Sequence, residues 1–296
     1  MLMLDNLNNK EMKLCKGKVK NDVTAAEKMQ LLKGLLGSME NVVLAYSGGV
    51  DSSFLLYVAN EALGEKVLAV TAKAPTFPES EYIFAEEFTR GLRSKFLAIE
   101  VDQLSQPELA NNPPDRCYYC KRQLFDILKK IAVENNAGWV IDGSNLDDEK
   151  DYRPGSRALK ELGIRSPLVE AGFTKEEIRK YAKESGLSFW NKPSSACLAS
   201  RIPYGVPLTK KILDIIDQAE ELLHTLGFSQ VRVRHHGEIA RIEIQISEIE
   251  KLISCREKVL TGFKAFGYTY IVLDLEGYRM GSLNLTLFSQ QKAGRA

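Results

Sequence analysis

Residues 47–53 read Ser47-Gly48-Gly49-Val50-Asp51-Ser52-Ser53, between an apolar run from Val42 to Tyr46 and a helix-like stretch from Ser53 to Ala62. A buried strand, a glycine-rich turn and a helix in immediate succession gather backbone N–H groups and the positive helix end around one point, which suits a polyphosphate. Gly48 and Gly49 allow close approach, and the hydroxyls of Ser47, Ser52 and Ser53 add donors. Asp51 is the odd member, because a carboxylate repels phosphates unless a divalent cation lies between, so Asp51 is assigned to Mg²⁺. The loop lacks the Lys of G-x-x-x-x-G-K-[ST], which sets it apart from the loops of γ-phosphoryl transferases. An ordinary tight turn with Asp51 or Ser52 as helix cap is the alternative for an isolated Ser-Gly-Gly.

Outward from this loop, apolar runs at Val67 to Ala72, Phe96 to Val101 and Trp139 to Asp142 alternate with helical stretches at Glu79 to Leu92 and Lys121 to Val133. That order predicts a doubly wound α/β domain with a parallel sheet covered on both faces. A helix from Thr24 to Gly37 precedes it. A short segment at Ser166 to Val169 and a helix at Lys175 to Ser185 are expected to complete a domain spanning 24–186. Residues 1–23 read as a loose basic tail. Residues 187–207, with Pro193, Pro203 and Pro207, read as an ordered connection. Residues 208–296 then give a smaller α+β domain: a helix (Leu208 to Leu226), strands (Gln230 to Arg234, Ala240 to Ile246), a helix (Ser247 to Phe266) and a strand (Tyr268 to Leu273).

Forty Lys and Arg against 39 Asp and Glu leave a net charge of +1, so no global field draws the chain to nucleic acid or an acidic membrane. Neither a membrane span nor a secretory signal is read, and a cytoplasmic protein is expected. Five cysteines in a reducing compartment are filler, metal ligands or reactive thiols. Cys117-Tyr118-Tyr119-Cys120 is a C-x-x-C opening a helix, and Cys197 follows in the connection. Spacing alone leaves three readings open: a zinc or iron–sulfur ligand set, a redox pair, or packing. In the C-terminal domain Arg232 and Arg234 alternate with Val231 and Val233, so both guanidinium groups share one strand face and can clamp a phosphate, joined by Arg279. The alternative is ion pairing with Glu238 or Glu243.

The loop resembles the SGGxDS signature of the N-type ATP pyrophosphatases, the PP-loop superfamily, over roughly residues 40–190. That resemblance implies cleavage of ATP between the α and β phosphates and adenylation of a substrate. It also puts Thr71, Ala72 and Lys73 near the adenine and the turn at Gly143 beside the nucleotide. Further runs are similar to the LarE family: Cys117 to Arg122, Asp151 to Gly155, Arg165 to Leu168, Lys192-Pro193, Ala196 to Gly205, Val231 to Arg234 and Leu273 to Arg279. This resemblance covers nearly the whole chain. It implies a sulfur transferase of nickel-pincer cofactor synthesis that replaces carboxylate oxygen by sulfur on a pyridinium mononucleotide, and a homo-oligomer. In one branch of that family the cysteine matching Cys197 gives up its own sulfur; in another, cysteines matching Cys117, Cys120 and Cys197 hold a [4Fe-4S] cluster. A cluster-dependent tRNA thiolase of the same superfamily and a non-catalytic nucleotide sensor are the competing expectations.

Overall fold

The computed structural model describes residues 24–150, 154–194, 196–279 and 281–284. The basic tail and Asp151-Tyr152-Arg153 lie outside the described residues. Four strands, β1 (Val42–Ala45), β2 (Val67–Lys73), β3 (Lys95–Glu100) and β4 (Trp139–Asp142), form one parallel sheet in the order β3-β2-β1-β4. The chain winds outward from β1 on one side through β2 and β3, then returns to its other side with β4. That reversal creates a crevice at the carboxyl ends of β1 and β4, the place where open parallel sheets bind ligands.

Strand β1 is buried because Val42 and Leu44 face one helical layer while Val43 faces the other. The first layer comprises α1 (Ala25–Gly37), α2 (Val50–Leu63) and, further along, α7 (Lys175–Glu184), through Leu32, Leu36, Phe54, Leu55, Ile178 and Ala182. The second comprises α4 (Arg116–Glu134) and α5 (Pro154–Leu162), through Phe125, Leu128, Ile131 and Leu159. Helix α3 (Glu79–Leu92) joins the first layer through Ala85. Capping boxes start α1 at Thr24 with Glu27 and α7 at Thr174 with Glu177. Lys28 ties these helices together at 2.7 Å from Glu177.

The short segment expected at Ser166 to Val169 is a helix, α6 (Pro167–Glu170), and Arg165 before it bridges Ile141 of β4. Pro167 lacks the N–H a strand ladder needs but suits the first helical position.

The connection has a core of its own. Its Leu198, Ala199 and Ile202 pack with Leu109 and with Leu213 and Ile216 of α8 (Lys210–Thr225). Beyond it, β5 (Arg232–His236) pairs antiparallel with β6 (Ile239–Glu243), which pairs parallel with β7 (Tyr270–Leu273). Helices α8 and α10 (Arg256–Ala265) cover this sheet through Ala219, Leu223, Val259 and Phe263. The single helix expected from Ser247 to Phe266 divides at Cys255 into α9 (Ile249–Ser254) and α10.

Candidate functional site

Ala45 of β1 and Asp142 of β4 are register partners, so the turns after both strands emerge side by side. Gly48 has φ +66°, and a β-carbon there would sit 2.9 Å from the Glu81 carbonyl oxygen, so a side chain is excluded by both conformation and space. Gly49 caps α2 without a side-chain bond, which leaves the first-turn amides to an anion. The Ser47 and Ser52 hydroxyls meet at 3.0 Å. Ser53 is instead buried and bonded to Tyr46 at 3.2 Å, supporting the strand and not facing the loop's mouth.

Asp51 sits where Mg²⁺ was expected. Its Oδ2 accepts from Asn145 Nδ2 at 3.1 Å and lies 3.6 Å from Lys175 Nζ, while its Oδ1 is buried with no hydrogen-bond partner. Burial raises its pKa, opposed by Lys175. An orphaned carboxylate oxygen fits a cation position, since a buried acceptor is otherwise costly. Asn145 belongs to the turn that the resemblance puts beside the nucleotide, whereas Lys175 is a neighbour of Asp51 that no spacing rule reveals. Lys192 is likewise beyond any spacing rule: its Nζ donates to the Gly48 carbonyl at 3.0 Å and to Glu81 at 2.8 Å, bracing the loop against α3.

Thr71, expected near the adenine, is fully buried and donates to the Tyr46 carbonyl at 2.8 Å, so its side chain braces β1 against β2. Ala72 and Lys73 end the strand on the crevice side, and Lys73 lies 3.5 Å from Glu79.

The cysteine segments are brought together by Asn112. Fully buried at φ +53°, it donates from Nδ2 to the carbonyls of Pro203 at 2.9 Å and Val206 at 3.1 Å, latching the approach to α4 onto the connection. Leu198 N donates to Thr76 O at 2.9 Å, and Arg201, buried and paired with Glu220 at 2.7 Å, donates to the Ala196 and Cys197 carbonyls. Cys117 and Cys197 are exposed; Cys120 accepts from Gln103 Nε2 at 3.2 Å. Burial, then the nearby Cys197 and Cys117, pushes the Cys120 thiol up to about 12. Cys120 thus feels both other sulfurs, although among the described residues no three His, Cys, Asp or Glu side chains are gathered closely enough to hold a metal ion. Chemically the donor set suits a soft metal or an iron–sulfur cluster.

The two strand arginines part company. Arg234 is a structural residue: it makes a two-point pair with Glu243 at 2.8 and 3.0 Å and donates to Ser200 O and Ser282 Oγ. Its pairing with Glu243 is the alternative reading of this strand. Arg232, equally buried, has no carboxylate partner among the described residues; it donates to Ser194 O and Val231 O and lies over Tyr278. Burial, then Arg201, lowers it to about 10. Arg232 lines a cavity of about 360 Å³ with Lys192, Glu81, Arg201, Asp217 and Glu220, which therefore adjoins the phosphate loop through Lys192. Arg279 pairs with Glu276 and keeps a buried, unpartnered Nε.

A family model described as NAD synthase matches residues 29–112, the stretch holding the phosphate loop. The chain is 39% identical over 271 residues to the pyridinium-3,5-bisthiocarboxylic acid mononucleotide synthase of Lactiplantibacillus plantarum, covering 91% of this chain and 98% of that one. It is 40% identical over 263 residues to an uncharacterised protein of Synechocystis, covering 88% and 98%. To a tRNA-specific 2-thiouridylase of Clostridium tetani it is 28% identical, over 53% of this chain and 52% of that one.

Proposed function

The chain belongs to the LarE family, that of the pyridinium-3,5-bisthiocarboxylic acid mononucleotide synthase within the PP-loop superfamily, and from that premise we propose how its own residues carry out sulfur transfer. Its substrates are ATP and a pyridinium dicarboxylate mononucleotide. A substrate carboxylate oxygen attacks the α-phosphorus of ATP and pyrophosphate leaves, giving an acyl adenylate. A sulfur nucleophile then attacks the carbonyl carbon and AMP departs with the former carboxylate oxygen, leaving a thiocarboxylate.

The observation carrying this reading is the phosphate loop at the uncapped start of α2, beside a cavity lined by Arg232 and joined to the loop by Lys192, which donates to the Gly48 carbonyl. Amides of the loop, with the Ser47 and Ser52 hydroxyls, hold the leaving pyrophosphate. Asp51 holds Mg²⁺, which offsets the phosphate charge. Gly143 keeps the β4 turn low enough for nucleotide to lie across the crevice. Arg232, with Arg279, takes the mononucleotide phosphate, while Arg234 holds Glu243 and the connection in place.

Cys117, Cys120 and Cys197 carry the sulfur chemistry. When bound to their thiolates, a [4Fe-4S] cluster supplies an iron with an open position for a sulfide. The family resemblance supports reading the chain as a cytoplasmic homo-oligomer. None of its described helices is long and apolar enough to cross a membrane. The tRNA thiolase reading is less well supported, because similarity to the thiouridylase covers half the chain whereas that to the mononucleotide synthase covers nearly all of it.

Anaerobic iron and acid-labile sulfide analysis, with intact mass after turnover, tests the sulfur source. The expected result is iron in the parent, its loss in each of Cys117→Ala, Cys120→Ala and Cys197→Ala, and an unchanged chain mass. Dehydroalanine at position 197 with no iron requirement would overturn the cluster in favour of a sacrificial Cys197.

A further inference from the structure

Helix α4 begins on Arg116, which is 5% exposed. Its Nε and Nη1 are buried with no hydrogen-bond partner, and among the described residues it forms no ion pair. Its guanidinium lies over the Tyr204 ring, 4.6 Å from the centroid. Two donors of a cationic side chain are thus buried without an acceptor, which is unfavourable unless an anion arrives. Arg201 and Arg234, buried to a similar degree, each grip a carboxylate at two points. Arg232 does not, and it lines the cavity beside Lys192.

The groups beside Arg116 that can become anionic are thiols. Cys117 is its neighbour in the chain, Cys120 follows one turn on, and Tyr204 belongs to the same connection as Cys197. Four residues apart on α4, Arg116 and Cys120 lie on the same face of the helix. Three thiolates around a divalent ion, or around an oxidised four-iron cluster, leave one net negative charge.

Building on the three-cysteine reading above, we propose that Arg116 is a positioning residue whose guanidinium is the fixed counter-charge of the centre formed by Cys117, Cys120 and Cys197. The stack on Tyr204 holds the guanidinium in place, and both flank the segments that deliver the sulfurs. The ring contact also shields the charge from water, which strengthens its effect on a neighbouring anion.

Cadmium is a suitable probe, because it binds thiolates without iron, sulfide or turnover and gives a thiolate-to-metal absorption in the near ultraviolet. The three side chains are not gathered for an ion in the metal-free chain, so cadmium has to draw them together: anaerobic Cd²⁺ titration of the metal-free full chain should show this band in the parent and lose it in Cys117→Ala. Arg116→Met should weaken cadmium binding about tenfold, the usual scale for losing a charge-assisted contact, while Arg116→Lys, which keeps the charge, binds close to the parent. Without metal, Arg116→Met should melt no lower than the parent, since two buried donors without an acceptor have been removed. Parent-like cadmium binding by Arg116→Met, or a loss that Arg116→Lys fails to restore, would overturn the role of Arg116 alone. Absence of the band in the parent would overturn the three-cysteine centre and the role of Arg116 with it.

Discussion

Gly143 lies directly against Ser52: a β-carbon on Gly143 would sit 2.8 Å from the Ser52 α-carbon and 2.9 Å from its nitrogen. The turn after β4 and the phosphate loop after β1 are therefore one packed unit, and the geometry at Ser52 depends on a residue 91 positions away. Gly143→Ala should displace the first turn of α2, at a cost of about 1–3 kcal/mol for overpacking. The expected result is a folded protein whose ATP affinity falls about tenfold or more, measured by calorimetric titration. Parent-like affinity would show that the loop tolerates displacement at Ser52.

Asp51 links activity and stability with opposite signs. Burial raises its carboxyl pKa, so the native state holds a proton more tightly than the unfolded chain, and stability falls as pH rises from the ordinary carboxylate range through the folded pKa. Asp51→Asn removes that penalty. Without nucleotide, the variant should be at least as stable as the parent at neutral pH, with the difference closing on acidification below the ordinary carboxylate range. Pyrophosphate release should nonetheless fall by orders of magnitude through loss of the Mg²⁺ ligand. Denaturation at several pH values and a pyrophosphate assay check both halves; an active Asn variant contradicts the metal role.

The phosphate loop, the parallel sheet and the C-x-x-C at a helix start are all legible in the sequence because each is a local pattern of spacing. The type of the short segment at Ser166 to Val169 is not legible, because so short an apolar run does not distinguish strand from helix, and Pro167 decides for helix. Arg232 and Arg234 look equivalent by alternation. Their difference comes from Glu243 on the paired strand, placed opposite Arg232 by register yet gripping Arg234 on the diagonal. Lys192, Asn145, Gln103 and Arg116 carry no periodic signal, since their roles depend on long-range contacts.

Arg232 and Arg234 should therefore give different variants. Arg232→Ala should weaken binding of a phosphorylated substrate about tenfold or more while changing ATP affinity little. Arg234→Ala should instead destabilise the chain by about 3 kcal/mol, because it breaks a buried pair and leaves Glu243 with Arg241 and the Ser282 hydroxyl as its remaining side-chain partners among the described residues. Substrate titrations and urea denaturation separate the two; equal effects would contradict the assigned division.

Glu220 holds the Cys197 segment at one remove. It grips Arg201 at two points and accepts from Val233 N at 2.7 Å, while Arg201 binds the Ala196 and Cys197 carbonyls. Glu220→Gln should cost about 3 kcal/mol or more, as for breaking a buried ion pair. Urea denaturation should show the loss, and a variant as stable as the parent would mean that Arg201 finds another anion.

Transfer of an oxygen atom tests the central account most directly. With substrate carboxylate labelled in ¹⁸O, ATP and Mg²⁺, one labelled oxygen should appear in AMP for each sulfur installed, because the carboxylate attacks the α-phosphorus and its oxygen leaves with AMP. Mass spectrometry of the nucleotide reads this outcome. Label in inorganic phosphate alongside ADP would mean attack at the γ-phosphorus, and would contradict adenylation at the loop around Asp51.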